Sequence, residues 1–203
     1  MGKSEQQELR GDRMLKIHTG KTDASDADDN RFAYEPTPYH VLDMIADRGY
    51  VEKHNTFLDF GCGKGRAVFY FAHVAKCHAI GLEYNARILE LARENRATAL
   101  SGRKTEFVQA DAAVYVIPQE VDRCFFFNPF SVDIFRRVYA NILESWYGAP
   151  REILLFFYYI SDEYLDFIYG YTDLRLREEI DCGDYCLGER NRERILVFAL
   201  DEI

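Results

Sequence analysis

Residues 57–68, FLDFGCGKGRAV, pass from an apolar run into three glycines at alternate positions, Gly61, Gly63 and Gly65. A glycine-rich turn after a buried strand lets the backbone approach a ligand closely, because no Cβ stands in the way. Spacing excludes two phosphate-binding patterns. A P-loop requires GxxxxGK[ST], but Gly63-Lys64 is followed by Gly65, which offers no hydroxyl for Mg²⁺. A dinucleotide loop requires GxGxxG, and counting from Gly61 and Gly63 puts Arg66 where the third glycine belongs. What remains is Asp59-x-Gly61-x-Gly63-x-Gly65. That pattern suits a ligand carrying an ammonium and a carboxylate rather than a pyrophosphate. Asp59, at the strand end, either orients the loop or meets a cation, and Lys64 reads as a solvated loop residue.

On both sides of this loop, strand and helix signals alternate. TFLDF (56–60) is a buried strand and RAVFYFAHV (66–74) a helix; CHAIGLE (77–83) is a strand and NARILELARENRATAL (85–100) a helix. TEFVQAD (105–111) and DRCFFFN (122–128) are further strands, the latter followed by the helix VDIFRRVYANILESWY (132–147). EILLFFYYI (152–160) is the fifth strand and SDEYLDFIYGY (161–171) a short helix. DLRLREEI (173–180) and RERILVFAL (192–200) follow with no helix between them, so they pair as an antiparallel hairpin. Upstream, YEPTPYHVLDMIADRG (34–49) predicts a helix with Thr37 as N-cap, Pro38 as first residue and Gly49 as the stop. The fold expected is α/β: a doubly wound seven-stranded sheet, mostly parallel, with an antiparallel C-terminal hairpin strand and helices on both faces. Residues 32–203 read as one domain. Residues 1–31 read as a polar, flexible leader whose acidic run DASDADDN (23–30) lacks the glycine and terminal glutamate of an EF-hand.

Composition narrows the function classes. The 203 residues are 48% hydrophobic and 15% aromatic, as a folded domain requires. Lys+Arg 25 against Asp+Glu 34 gives a net charge of −9, which disfavours non-specific grip on a nucleic-acid duplex. The five cysteines are scattered, the closest pair being Cys182 and Cys186, and no histidine after His78 is available to help them bind zinc. The N-terminus has no apolar signal region, and ILLFFYYI (153–160) is too short to span a bilayer. A reduced, cytoplasmic protein with no bound metal and no membrane partner is the expectation.

The Asp59–Gly65 stretch resembles motif I of class I S-adenosylmethionine (SAM)-dependent methyltransferases. The βα order with its closing hairpin is similar to their seven-stranded sheet, over residues 34–200. The resemblance implies SAM as cofactor. It implies that Glu83, ending the second strand, takes the ribose hydroxyls through charge-assisted hydrogen bonds worth about 1.5–3 kcal/mol each. It also implies that Asp111 and the N–H of Ala112 face the adenine; Cys62 in the loop and Tyr84 after Glu83 complete the set. Either carboxylate alone would equally serve as negative charge at a helix N-terminus. YEPTP is similar to the lead-in of certain protein-lysine methyltransferases, which would bring Tyr34 and Thr37 over the methionine end; a rigid turn and helix cap explains the same residues without a ligand.

FFFNPFS (125–131) resembles motif IV of amino-methylating enzymes, [DNS]PP[YF], with one proline in place of two. The resemblance implies that Asn128 and the Pro129 carbonyl accept hydrogen bonds from the acceptor nitrogen, that Phe130 stacks on it, and that Asn128 also borders the cofactor. A strand-end turn with Phe130 in the core is the alternative. All five histidines precede the third strand, so the base that O-methylating relatives often keep is missing, and a nitrogen acceptor is favoured. Tyr158, Tyr159 and Asp162 are further candidates for the acceptor pocket. The expected partner is a methyl-acceptor substrate, a protein lysine or a small-molecule amine. A non-catalytic SAM-binding partner or sensor is the competing function, and an aminopropyltransferase is disfavoured because FFFNPF is apolar where a polyamine needs carboxylates.

Overall fold

The structure is a computed structural model and describes residues 3–20, 22–23, 30–183 and 192–201. The acidic run at 24–29 and Cys186 lie outside the described residues. The elements in chain order are α1 (Lys3–Leu15), α2 (Tyr39–Asp47), β1 (Thr56–Phe60), α3 (Arg66–Val74), β2 (His78–Glu83) and α4 (Ala86–Thr98). Next come a 3₁₀ turn (Gly102–Lys104), β3 (Thr105–Gln109), β4 (Arg123–Phe127), α5 (Val132–Gly148), β5 (Ile153–Tyr158), α6 (Asp162–Tyr171), β6 (Arg175–Asp181) and β7 (Arg194–Leu200).

The strands form one sheet in the order β3-β2-β1-β4-β5-β7-β6. The first five pair in parallel, and β7 runs antiparallel to both β5 and β6. The expected architecture is therefore the one observed. Parallel strands covered on both faces read as unbroken apolar runs, and TFLDF and CFFF do so because successive side chains enter opposite layers. Phe57 and Phe125 join the layer under α3, whereas Phe60 and Phe126 join the layer under α5. Register aligns Phe60 with Phe126 and Phe126 with Phe157, and their rings stack at 4.6 and 4.9 Å. No helix among the described residues is long and apolar enough to cross a membrane.

Three expectations are corrected. Residues 1–31 are not simply a solvated leader: α1 forms there, and Leu15, Ile17 and Thr19 are buried against the domain. The apolar pattern of this segment is too sparse to announce a core helix, and polar groups hold it instead. Arg66 pairs with Glu8 and Asp12, donates to the Thr19 hydroxyl at 2.7 Å and lies over the Tyr39 ring at 4.6 Å. Thr37 is not the cap of α2: Pro38 holds that position, and the Thr37 carbonyl accepts from Arg66 at 3.0 Å. Lys64 is not solvated. It is 9% exposed, its ammonium donates to the Gly20 carbonyl at 3.1 Å and it lies 4.7 Å from the centre of the Tyr34 ring. A lysine can bury its stem in this way when carbonyl and aromatic faces receive the charge.

Candidate active site

β1 has β2 on one side and β4 on the other, so the chain reverses its winding direction there, and ligands bind at the C-terminal ends of strands at such a reversal. A cavity of about 840 Å³ opens at that edge. The loop after β1 forms its floor. Gly61, Gly63 and Gly65 have φ of +75°, +55° and +87°, all left-handed. Gly63 is the most constrained of the three: a Cβ there would meet the Tyr34 ring at 2.1 Å, so the ring would have to move. Gly61 faces Pro129 in the same way, with 2.7 Å to its Cβ. The amides of Gly61 and Cys62 donate to the Leu82 carbonyl, which fastens the loop to the end of β2.

Glu83 is the second fastening. One carboxylate oxygen accepts from the Gly63 N–H at 3.0 Å and the other from the Asn85 N–H at 2.9 Å. Burial pushes its carboxyl above the usual range, against the pull of these amides. Asp59 is 5% exposed on the cavity wall, and its carboxylate has no hydrogen-bond partner among the described residues. Burial, and then the negative charge of Glu83, push it up to about 8. The Cys62 thiol is buried, and desolvation raises it far above the reactive range, so Cys62 packs, against Gly81, rather than reacts.

At the other end of the cavity, Asp111 accepts from the Ala113 N–H at 2.9 Å and pairs with Arg31 at 2.9 Å. The Arg31 guanidinium also lies 3.9 Å from the centre of the Tyr84 ring, which is 54% exposed, and Ala112 lines the wall beside them. Arg31 reaches this place because residues 30–32 run along 129–131: Ser131 N–H donates to the Asn30 carbonyl at 2.9 Å and Phe32 N–H to the Pro129 carbonyl at 3.3 Å. Tyr34 continues the strap; its ring covers Gly63 and its hydroxyl donates to the Thr19 carbonyl at 2.7 Å.

Asn128 follows β4 with φ of +40°, and Tyr159 follows β5 with φ of +56°. Non-glycine residues held left-handed at adjacent strand ends store strain, and strain of this kind gathers at functional sites. Both line the cavity, and the Asn128 amide has no partner among the described residues. Pro129 and Phe130 behave differently from the motif's implication. The Pro129 carbonyl already receives Phe32, and the Phe130 ring is 5% exposed in the core beside Phe126.

The structure thus brings Tyr34, Thr37, Asp59, Gly61, Cys62 and Glu83 to one cavity with Tyr84, Asp111, Ala112, Asn128, Pro129 and Phe130. Gly63 and Gly65 shape the loop without lining that cavity. Of the further acceptor-pocket candidates, Tyr159 lines it; Tyr158 is buried with its hydroxyl on Glu193, and Asp162 opens α6 outside the lining. Sequence reasoning missed Arg31, Lys64 and Arg66. Arg66 had a legible signal: a cation at the first position of a helix opposes the helix dipole, so carboxylates must answer it.

Comparison with known proteins agrees with this geometry. Residues 57–147 match the family model described as "Methyltransferase domain". That match spans residues 57–147 of the 203 and describes the part of the chain that holds the glycine loop and the strand ends around the cavity. No curated protein matches the sequence significantly. Among solved structures, an RNA methyltransferase from Salinibacter ruber in complex with S-adenosyl-L-homocysteine is similar at 17% identity. That match covers 83% of this chain and 95% of the other, with a TM-score of 0.59. The glycopeptide N-methyltransferase MtfA is similar at 13% identity, 83% and 92% coverage and a TM-score of 0.65. Precorrin-6y C5,15-methyltransferase from Geobacter metallireducens is similar at 17%, 82% and 89%, with 0.55.

The cavity fits SAM, the cofactor that the resemblance in the glycine loop implies. Asp59, Gly61 and Cys62 line the cavity where the loop leaves β1, the Asp59 carboxylate has no hydrogen-bond partner among the described residues, and Glu83 and Asp111 stand at the ends of neighbouring strands. When bound, SAM supplies an electrophilic methyl group on a sulfonium.

The elevated Asp59 predicts a pH effect in the cofactor-free protein. The native carboxyl keeps its proton up to about pH 8, whereas the unfolded chain releases it near the ordinary 3.8. Stability from this group is complete below the unfolded value and is lost as pH rises towards 8. The melting temperature of the wild type is expected to fall more steeply between pH 5 and 8 than that of Asp59→Asn, as read by circular dichroism. Equal slopes in the two proteins would show that Asp59 ionises freely.

Proposed function

We propose that this protein transfers a methyl group to an amine nitrogen, on a protein lysine or a small molecule. The observation that carries the reading is Asn128, held at φ +40° on the cavity wall with its side-chain amide uncommitted among the described residues. The amide oxygen accepts from the acceptor N–H and aims the nitrogen, and orientation of this sort is where most of the rate gain lies. Tyr159 provides the aromatic wall that Phe130, turned into the core, does not. The solved relatives act on RNA, a glycopeptide and a precorrin, so the shared fold leaves the acceptor to such local residues. Cys62, Cys77, Cys124 and Cys182 are all free and buried, which supports a cytosolic setting.

The test is transfer of tritiated methyl from SAM to lysine peptides and small amines. Asn128→Ala is expected to lower kcat about 100-fold, the order that misplacement of a reacting group costs, while S-adenosylhomocysteine affinity changes much less. Labelled product only on oxygen or carbon acceptors, or an unchanged kcat in the variant, would overturn the assignment.

A further inference from the structure

A second cavity of about 720 Å³ lies away from the first and shares no lining residue with it. It is formed by the C-terminal end of α3, the last turns of α4 and the 3₁₀ turn before β3. These segments sit at the N-terminal edge of the parallel strands, opposite the methyl-transfer cavity. In a chain of net charge −9, its wall carries Lys76, Arg93, Arg96, Arg103 and Lys104, with His73 beside them and no aspartate or glutamate.

Helix ends explain part of this. Cations near helix C-termini meet the negative end of the dipole, and two of the five do so through carbonyls: Arg96 donates to the Gly102 carbonyl at 3.1 Å and Lys104 to that of Lys76. Arg93 is paired at 3.4 Å with Glu90, both exposed. Lys76, just past the C-cap of α3, and Arg103, in the 3₁₀ turn, also stand at helix ends but are not tied down there by their side chains. Both are exposed, and neither side chain has a hydrogen bond or ion pair among the described residues. The basin is also apolar at one point, where Leu100 is 54% exposed, and its lining contains no Phe, Tyr or Trp.

We propose that this basin is a docking site for the phosphate backbone of single-stranded RNA. The cations are strung along three chain segments on an open surface, which suits a polymer better than a single small anion. Three of the five are arginines, whose planar forks match phosphate oxygens bidentately. Without a Phe, Tyr or Trp ring the basin lacks a broad platform for base stacking, so recognition is chiefly of the backbone and indifferent to sequence. The overall acidic charge keeps such binding local and weak, with dissociation constants of roughly 10⁻⁴–10⁻⁶ M at physiological salt.

The experiment is fluorescence anisotropy of a labelled 12-nucleotide single-stranded RNA of mixed sequence with the full chain. Contact with about four phosphates predicts a log–log salt slope near −2.8, or about 50-fold weaker binding between 50 and 200 mM salt. The double variant Lys76→Gln/Arg103→Gln is expected to bind at least tenfold more weakly, with unchanged melting temperature and unchanged affinity for S-adenosylhomocysteine. Saturating S-adenosylhomocysteine should leave RNA binding as it was. The proposal is overturned by no binding at 50 mM salt, by wild-type affinity in the double variant, or by polyglutamate competing as well as RNA, which would point to an acidic protein instead.

Discussion

Replacing Arg66 by alanine is expected to lower the melting temperature by roughly 10 °C or more. The side chain is 4% exposed and sits where the glycine loop becomes α3. It holds Glu8, Asp12, the Thr19 hydroxyl and the Thr37 carbonyl, four points on the segment that precedes α2. Removing one partner of a buried ion pair costs about 3–5 kcal/mol, because the remaining charge stays buried without compensation. In a domain of this size each kcal/mol is worth roughly 2–4 °C. Asp12, which also accepts from the Tyr39 hydroxyl at 2.7 Å, would be the stranded charge. The same substitution loosens the strap that carries Tyr34 over Gly63 and should weaken cofactor binding as well. Thermal denaturation by circular dichroism measures the first effect and calorimetric titration the second. A shift below about 2 °C would mean that α1 is held by its apolar contacts, Leu15 and Ile17, and not by Arg66.

Glu83→Ala should weaken S-adenosylhomocysteine binding about 30-fold or more. Two losses combine. The ligand loses a charged acceptor worth about 1.5–3 kcal/mol per bond, and a loss of 2 kcal/mol is close to 30-fold in affinity. The loop loses the clamp that ties Gly63 N–H to Asn85 N–H across one carboxylate. Glu83→Gln separates the two. It keeps an oxygen for one amide but not the charge, so an intermediate affinity is expected, while a wild-type value would assign Glu83 to loop architecture alone. Titration calorimetry decides, and an alanine variant within threefold of wild type would remove Glu83 from the cofactor site.

The reasons for success and failure in reading the sequence are physical. β1, β2, β3, β4 and β5 were visible because strands buried on both faces must be apolar throughout, and the helices between them carry a one-sided pattern. The glycine loop was visible because left-handed backbone at Gly63, beneath a tyrosine ring, disfavours a side chain. The positions of Glu83 and Asp111 at or just past the ends of β2 and β3 were legible from the order of strands and helices, whereas their roles rest on the resemblance. Asn-Pro-Phe left two readings open, because the same three letters serve either a ligand or a turn, and the pairing of Phe32 with the Pro129 carbonyl and the burial of Phe130 come from chain distant in sequence.

Local periodicity and glycine spacing were therefore enough for the strands, the helices between them and the turn after β1, since those depend on which faces are buried and on backbone angles. Tertiary structure assigned the charges. Nothing near Lys64 in the chain says that it is buried under Tyr34, nor that Arg66 reaches back 58 residues to Glu8, nor that Arg31 spans 80 residues to Asp111. A charge takes its role from whichever opposite charge, carbonyl or ring folding brings within a few ångströms, and that proximity has no signature in a one-dimensional pattern.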